Sequence, residues 1–86
     1  MTKRTVYQKE QLLTHIEDKL KDLRVTKITF NIHELRKSLH QSYLQCTSAF
    51  KALQQEEKIQ ILRKDYIKIK EKNKREIYYT VRLINN

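Results

Sequence analysis

The chain has 86 residues, enough for one domain and too few for two. Nineteen Lys and Arg stand against ten Asp and Glu, a formal charge of +9 that points to a polyanionic partner such as nucleic acid or an anionic membrane surface. No apolar run approaches the roughly 20 residues of a membrane span, no apolar signal-peptide segment opens the chain, and the absence of glycine excludes a phosphate-cradling glycine loop.

Residues 1–4 read as a basic tail and 5–86 as one domain. Helical spacing of Leu12, Leu13, Ile16, Leu20 and Leu23 predicts a first helix from about Val6 to Leu23. Thr5 with Gln8 resembles a capping box for it. Val25–Phe30 is rich in β-branched residues and predicts a short strand. Asn31 with Glu34 resembles a second capping box, and Ile32, Leu35 and Leu39 form one stripe, so a second helix is expected from Asn31 to near His40. Ser42 with Gln45 resembles a third box. It opens a helix carrying Leu44, Cys46, Phe50 and Leu53 at helical spacing up to about Glu57. The connection near His40 and Gln41 is so short that the two helices must cross sharply.

Lys58–Lys70 and Glu76–Ile84 read as a hairpin. Ile59, Ile61, Ile67 and Ile69 share odd parity with Ile77, Tyr79, Val81 and Leu83. A turn centred on Asn73 pairs Ile69 with Ile77 and Ile67 with Tyr79, placing all eight on one face. The tip Glu71-Lys72-Asn73-Lys74-Arg75 is polar, and Asn73 can supply a left-handed turn residue. With glycine absent, Asn is the residue expected wherever positive φ is needed. The expected fold is α+β, in the order helix, strand, helix, helix, strand, strand.

The stretch NIHELRKSLHQSYLQCTSAFKALQQEEKIQIL, within a match covering nearly the whole chain, resembles the winged helix-turn-helix superfamily. AFKALQQEEKIQIL is similar to the usual end of that family's recognition helix, with Phe50 and Leu53 in the paired apolar positions. One departure is that Glu57 or Lys58 takes the place of the family's usual glycine between recognition helix and wing. The resemblance implies a three-helix core with a C-terminal hairpin wing, and a third helix lying in the major groove of DNA.

On that footing the outer face of the third helix offers Tyr43, Gln45, Thr47, Ser48 and Lys51 to base edges. Gln45 suits bidentate contact with adenine, and Thr47 or Ser48 can reach a base or a phosphate. The plain alternative is an ordinary solvated face. From Lys58 onward nine Lys or Arg meet three acids, a net +6. Lys68, Lys70, Lys72, Lys74 and Arg75 are therefore candidates for phosphate or minor-groove contact, against the alternative that lysine merely protects an exposed strand. Tyr66 and Tyr78 are expected on one outward face with Lys68 and Arg82, where they could stack single-stranded bases or simply pack across strands.

His15, His33 and His40 are scattered and Cys46 is expected in the core, so no metal site is expected. No nucleophile–base pair or carboxylate cluster stands out, and neither an enzyme, a cofactor nor a small-molecule ligand is expected. Helix 1 is a candidate homodimer face if Leu13, Leu20 and Leu23 exceed what the core can cover, which would set two recognition helices about one DNA turn apart. The lone Cys46 suits a reducing, cytoplasmic setting, with nucleoid association if DNA is the partner and no role at a membrane. The expectation is a sequence-specific duplex-DNA-binding protein and small transcriptional regulator, with a composition suiting an AT-rich phage, plasmid or other mobile element. The alternatives are a replication accessory binding single-stranded DNA or RNA through the tyrosine-bearing hairpin, and a protein-interaction module.

Overall fold

The structure, a computed structural model, describes residues 3–84, and within them the side chains of 8–71 and 73–84. The apolar stripe of the first helix folds as α1 (Lys3–Leu23). It begins three residues before the sequence reading placed it, so Thr5 lies within the helix and not at its cap. Its side chain, like that of Lys72, falls outside the described residues. β1 (Lys27–Asn31) follows, then α2 (Ile32–Ser38), α3 (Tyr43–Gln55), β2 (Ile59–Ile69), a 3₁₀ turn (Lys70–Lys72) and β3 (Lys74–Leu83). This is the α+β order expected.

The helix starts follow local chemistry. Asn31 caps α2 by accepting from the His33 and Glu34 amides. Ser42 and Gln45 form the reciprocal capping box at α3, with Gln45 N–H donating to Ser42 Oγ at 3.1 Å and Ser42 N–H donating to Gln45 Oε1 at 2.9 Å.

The helix ends overturn the expectation that Asn alone would serve at positive φ. Arg24 (φ 54°), His40 (54°) and Glu57 (58°) are left-handed, as is Asn73 (46°). Each of the first three closes a Schellman motif, in which the next residue's N–H reaches back to a carbonyl five positions earlier. The bonds are Val25 to Leu20 at 3.1 Å, Gln41 to Arg36 at 2.8 Å and Lys58 to Leu53 at 3.0 Å. Satisfying the last carbonyls outweighs the Cβ penalty of the left-handed conformation. The Schellman turn also holds Val25, so β1 starts at Lys27 and not at Val25.

The three strands form one antiparallel sheet in the order β1-β3-β2. The helices cover one face of it. Leu12, Ile16, Ile32, Cys46, Phe50, Ile59 and Val81 are fully buried between the two layers. The Phe50 ring meets Tyr79 edge-on at 5.2 Å and Phe30 at 6.4 Å. Burying each such side chain contributes roughly 1.5–3 kcal/mol. Gln41, in the α2–α3 turn, is buried and ties that turn to α1 by donating to Gln11 Oε1 at 3.3 Å.

The hairpin register differs from the one read from parity. Ile69 pairs with Lys74, Ile67 with Glu76 and Tyr66 with Ile77, the strands being joined by a loop of Lys70–Asn73 with Asn73 left-handed. Near the core Ile59 pairs with Leu83 and Ile61 with Val81. The shift lies between Ile61 and Arg63, where Leu62 is the extra residue of a β-bulge. One inserted residue reverses the facing of everything beyond it. Ile59 and Ile61 therefore face the helices with Ile77, Tyr79 and Val81, whereas Ile67 and Ile69 face the other way. Ile67 is accordingly 49% exposed.

Candidate nucleic-acid interface

The first turns of α3 are shaped by their own cap. Gln45 Oε1 accepts from the Ser42 amide, which holds the side chain over the cap and leaves the oxygen one further lone pair. Tyr43 stacks on His33 at 5.5 Å with an interplanar angle of 24°. The Thr47 hydroxyl donates back to the carbonyls of Tyr43 and Leu44, at 3.1 Å each. Ser48 and Lys51 are exposed, as expected. Leu44, expected with the core stripe, is instead 72% exposed. It lies two residues before Cys46, about 200° around the helix, and so points away from the core that Cys46 enters.

The β2–β3 arm meets this face. Leu44, Thr47, Ser48 and Lys51 of α3 line a groove of about 440 Å³ with Lys64 of β2 and Tyr79 of β3. Gln54 of α3 and Ile61 of β2 lie at its inner side, joined by a 2.8 Å bond from the Ile61 amide to Gln54 Oε1. Lys64 Nζ sits 5.2 Å from the Tyr79 ring centroid, within cation–π range.

Beyond the bulge the register sorts the charges. Residues directly opposite in an antiparallel pair share a face. The face turned toward α3 carries Lys64 with Tyr79, Tyr66 with Ile77, and Lys68 with Arg75. The opposite face carries Arg63, Asp65 with Tyr78, Ile67 with Glu76, and Ile69 with Lys74. The carboxylates of both strands thus lie on the far face, where Arg63 pairs with Asp65 at 2.8 Å. The charged strand residues on the α3 side of the arm, Lys64, Lys68 and Arg75, are all cations.

Of the five basic residues expected to touch phosphate, Lys68 and Arg75 come together on the α3 side. Lys74 faces away, Lys70 lies in the tip turn, and the side chain of Lys72 is outside the described residues. Lys64, which shares the face of Lys68 by alternation along β2, is a further cation there beyond the sequence candidates. The expected pairing of Tyr66 with Tyr78 on one surface is corrected because of the bulge: they lie on opposite faces. Tyr66 is 64% exposed between Lys64 and Lys68. Tyr78 hydrogen-bonds Glu76, which raises its phenol above the ordinary range, with lesser contributions from burial and the Glu76 charge.

Burial pushes the Tyr79 phenol up to about 12, with the neighbouring Tyr66 and Tyr43 adding to it. Burial likewise pushes the Cys46 thiol up to about 11 against the opposing pull of Arg36, so Cys46 is a protonated core residue at neutral pH. Burial, and then Lys19, lower His15, with Asp18 opposing them.

On α1, Leu20 is buried in the core and Leu13 packs against it, which leaves Leu23, 58% exposed, as the open end of the stripe. At the other end of the domain Lys9 is held by Glu56 at 2.5 Å, joining α1 to the end of α3. Among the described residues no three His, Cys, Asp or Glu converge as a metal-binding group, and no helix is long and apolar enough to cross a membrane.

The topology is compatible with a winged helix. No protein-family model, curated protein or solved structure matches the chain.

Proposed function

We propose that this protein is a winged-helix duplex-DNA-binding protein, with α3 entering the major groove and the α3-facing side of the β2–β3 arm lying along phosphates. The observation that carries this reading is the sorting of charge by the bulge: Lys64, Lys68 and Arg75 share the arm face turned toward α3, Lys64 lines a groove with Lys51 of α3, and the strand carboxylates lie behind them. A polyanion approaching α3 meets Lys51 on the helix and Lys64 on the arm, with no strand carboxylate on the arm face turned toward it. α3 is about 20 Å long, and a major groove about 12 Å wide admits such a helix. Sequence-specific binding and a regulatory role in transcription follow as the use of such a surface.

The test is a titration of the intact protein with labelled duplex DNA, single-stranded DNA and RNA at several salt concentrations. Duplex is expected to bind most tightly. The logarithm of its affinity should fall linearly with the logarithm of salt, with a slope of roughly −0.9 per phosphate neutralised. Preference for a single strand would replace this reading with a second one. That reading is favoured by the exposure of Tyr66 between Lys64 and Lys68, where a base can stack beside its phosphates. No binding even at low salt would leave a protein-interaction role.

Self-association through α1 belongs to the same proposal. Leu23 and Val25, 58% and 44% exposed, are the apolar residues available to it. Sedimentation equilibrium with and without Leu23→Asp tests it.

A further inference from the structure

The first two turns of α3 present an unusual balance of groups for reading bases. Gln45 has its side-chain oxygen held by the Ser42 amide, and the Thr47 hydroxyl is donated to the backbone. What projects furthest is an aliphatic side chain: Leu44, 72% exposed, more than any other large apolar residue described. It lines the groove whose far wall carries Lys64, with Lys51 about two turns further along the same helix.

An exposed leucine at the mouth of a groove that also holds Lys51 and Lys64 suits a partner that is apolar at a point and anionic nearby. The major groove of DNA offers one such point, the C5-methyl of thymine, standing among acceptors and donors and flanked by phosphates. A protein partner with matching acidic residues would meet Lys51 and Lys64 equally well, but the cations continue along the arm from Lys64 to the cross-strand pair of Lys68 and Arg75, as a phosphate backbone does.

Building on the duplex-DNA reading, we propose that Leu44 is a specificity-determining residue that packs on a thymine C5-methyl, so that the protein selects duplex carrying thymine where the first turn of α3 docks. Discrimination comes from removing two apolar surfaces from water, not from a hydrogen-bond pattern. Burying a group of methyl size corresponds to about a four-fold gain in affinity per methyl contacted.

The experiment compares the intact protein on two duplexes of alternating sequence, one of A·T and one of A·U pairs, which differ only by that methyl. Fluorescence anisotropy at one fixed salt concentration gives both affinities. A second pair, cytosine against 5-methylcytosine in an otherwise identical G·C duplex, returns the methyl to the same edge of the groove. The expected result is about four-fold tighter binding to A·T than to A·U, a gain on cytosine methylation, and a ratio near one for both pairs in Leu44→Ala. As an exposed position, Leu44→Ala is expected to fold normally, which circular dichroism checks. Equal affinity of the natural protein for A·T and A·U would overturn the inference while leaving the duplex reading intact. A preference that survives in Leu44→Ala would overturn the assignment to Leu44. Failure to bind any of the four duplexes would overturn the duplex reading itself.

Discussion

Gln54, in the last turn of α3, accepts a 2.8 Å hydrogen bond from the main-chain amide of Ile61, the residue immediately before the bulge in β2. A helix side chain is thus fastened to the point where the strand changes facing. The bond connects the base of the arm to the helix whose outer surface shares its groove. Gln54→Ala is expected to cost about 1 kcal/mol in urea unfolding, the ordinary net worth of such a bond. It should also speed hydrogen exchange at the Ile61 amide, while Gln54→Glu, which keeps an acceptor, should protect that amide. Unchanged exchange at Ile61 in the alanine variant would show that the contact does not hold the strand.

Glu57 ends α3 with φ at 58°, where a Cβ is unfavourable. Glu57→Gly should therefore stabilise the protein by about 1 kcal/mol, somewhat offset by the greater freedom glycine gives the unfolded chain. Asn73→Gly should gain less, because Asn tolerates this conformation better. Paired urea midpoints of the two variants and the natural protein check the order.

The two faces of the arm make different contributions to binding. Lys64→Ala and Lys68→Ala should each weaken duplex affinity and reduce the salt slope by about 1. Lys74→Ala, on the face with Ile69 and Glu76, should have a smaller effect on both. Equal losses at Lys68 and Lys74 would mean that the sorting of charge has no bearing on binding.

Stability should decline on the alkaline side. The Cys46 thiol, ordinarily near 9.0, is pushed up to about 11, and the Tyr79 phenol, ordinarily near 10.0, to about 12. Both groups are raised, so the fold favours their protonated forms. Their contribution is complete below pH 9 and is lost as pH rises through 9 to 12. His15 is lowered, so the fold favours its neutral form, and its contribution falls away as pH drops below the ordinary 6.5. Urea unfolding as a function of pH should give falling limbs at both ends, with Cys46→Ala delaying the onset of the alkaline one.

Legibility in the sequence followed the range of the interaction. The box of Ser42 and Gln45 and the stripes of Ile16 with Leu20 and of Phe50 with Leu53 are local patterns, and the helices they predict are present. The turn residue Asn73 was legible for the same reason. Leu62 was not. It is as apolar as its neighbours, and an alternation of isoleucines reads as unbroken even where one residue has been inserted. From that single position follow the separation of Tyr66 from Tyr78 and the placing of Arg75, in place of Lys74, on the face of Lys64 and Lys68, while the four-residue tip loop sets the pairing of Ile69 with Lys74. Arg24, His40 and Glu57 were illegible because a Schellman turn can hold a residue other than glycine when its hydrogen bonds are good enough. The pattern of Ser42 with Gln45 shows the cap that holds the Gln45 side chain, but not whether that side chain also meets a base.

β1 is short: it reaches along β3 only from Arg82 to Tyr78. Past that point the arm has no third strand, and an isolated ribbon of two strands is marginal in water. Its root is held by β1 and by Gln54 of α3, and beyond Tyr78 its two strands have only each other. A compliant cationic finger can adjust to grooves of differing width. It must give up that freedom each time it docks, so stiffening the ribbon with a cross-strand link should tighten association without adding a single contact.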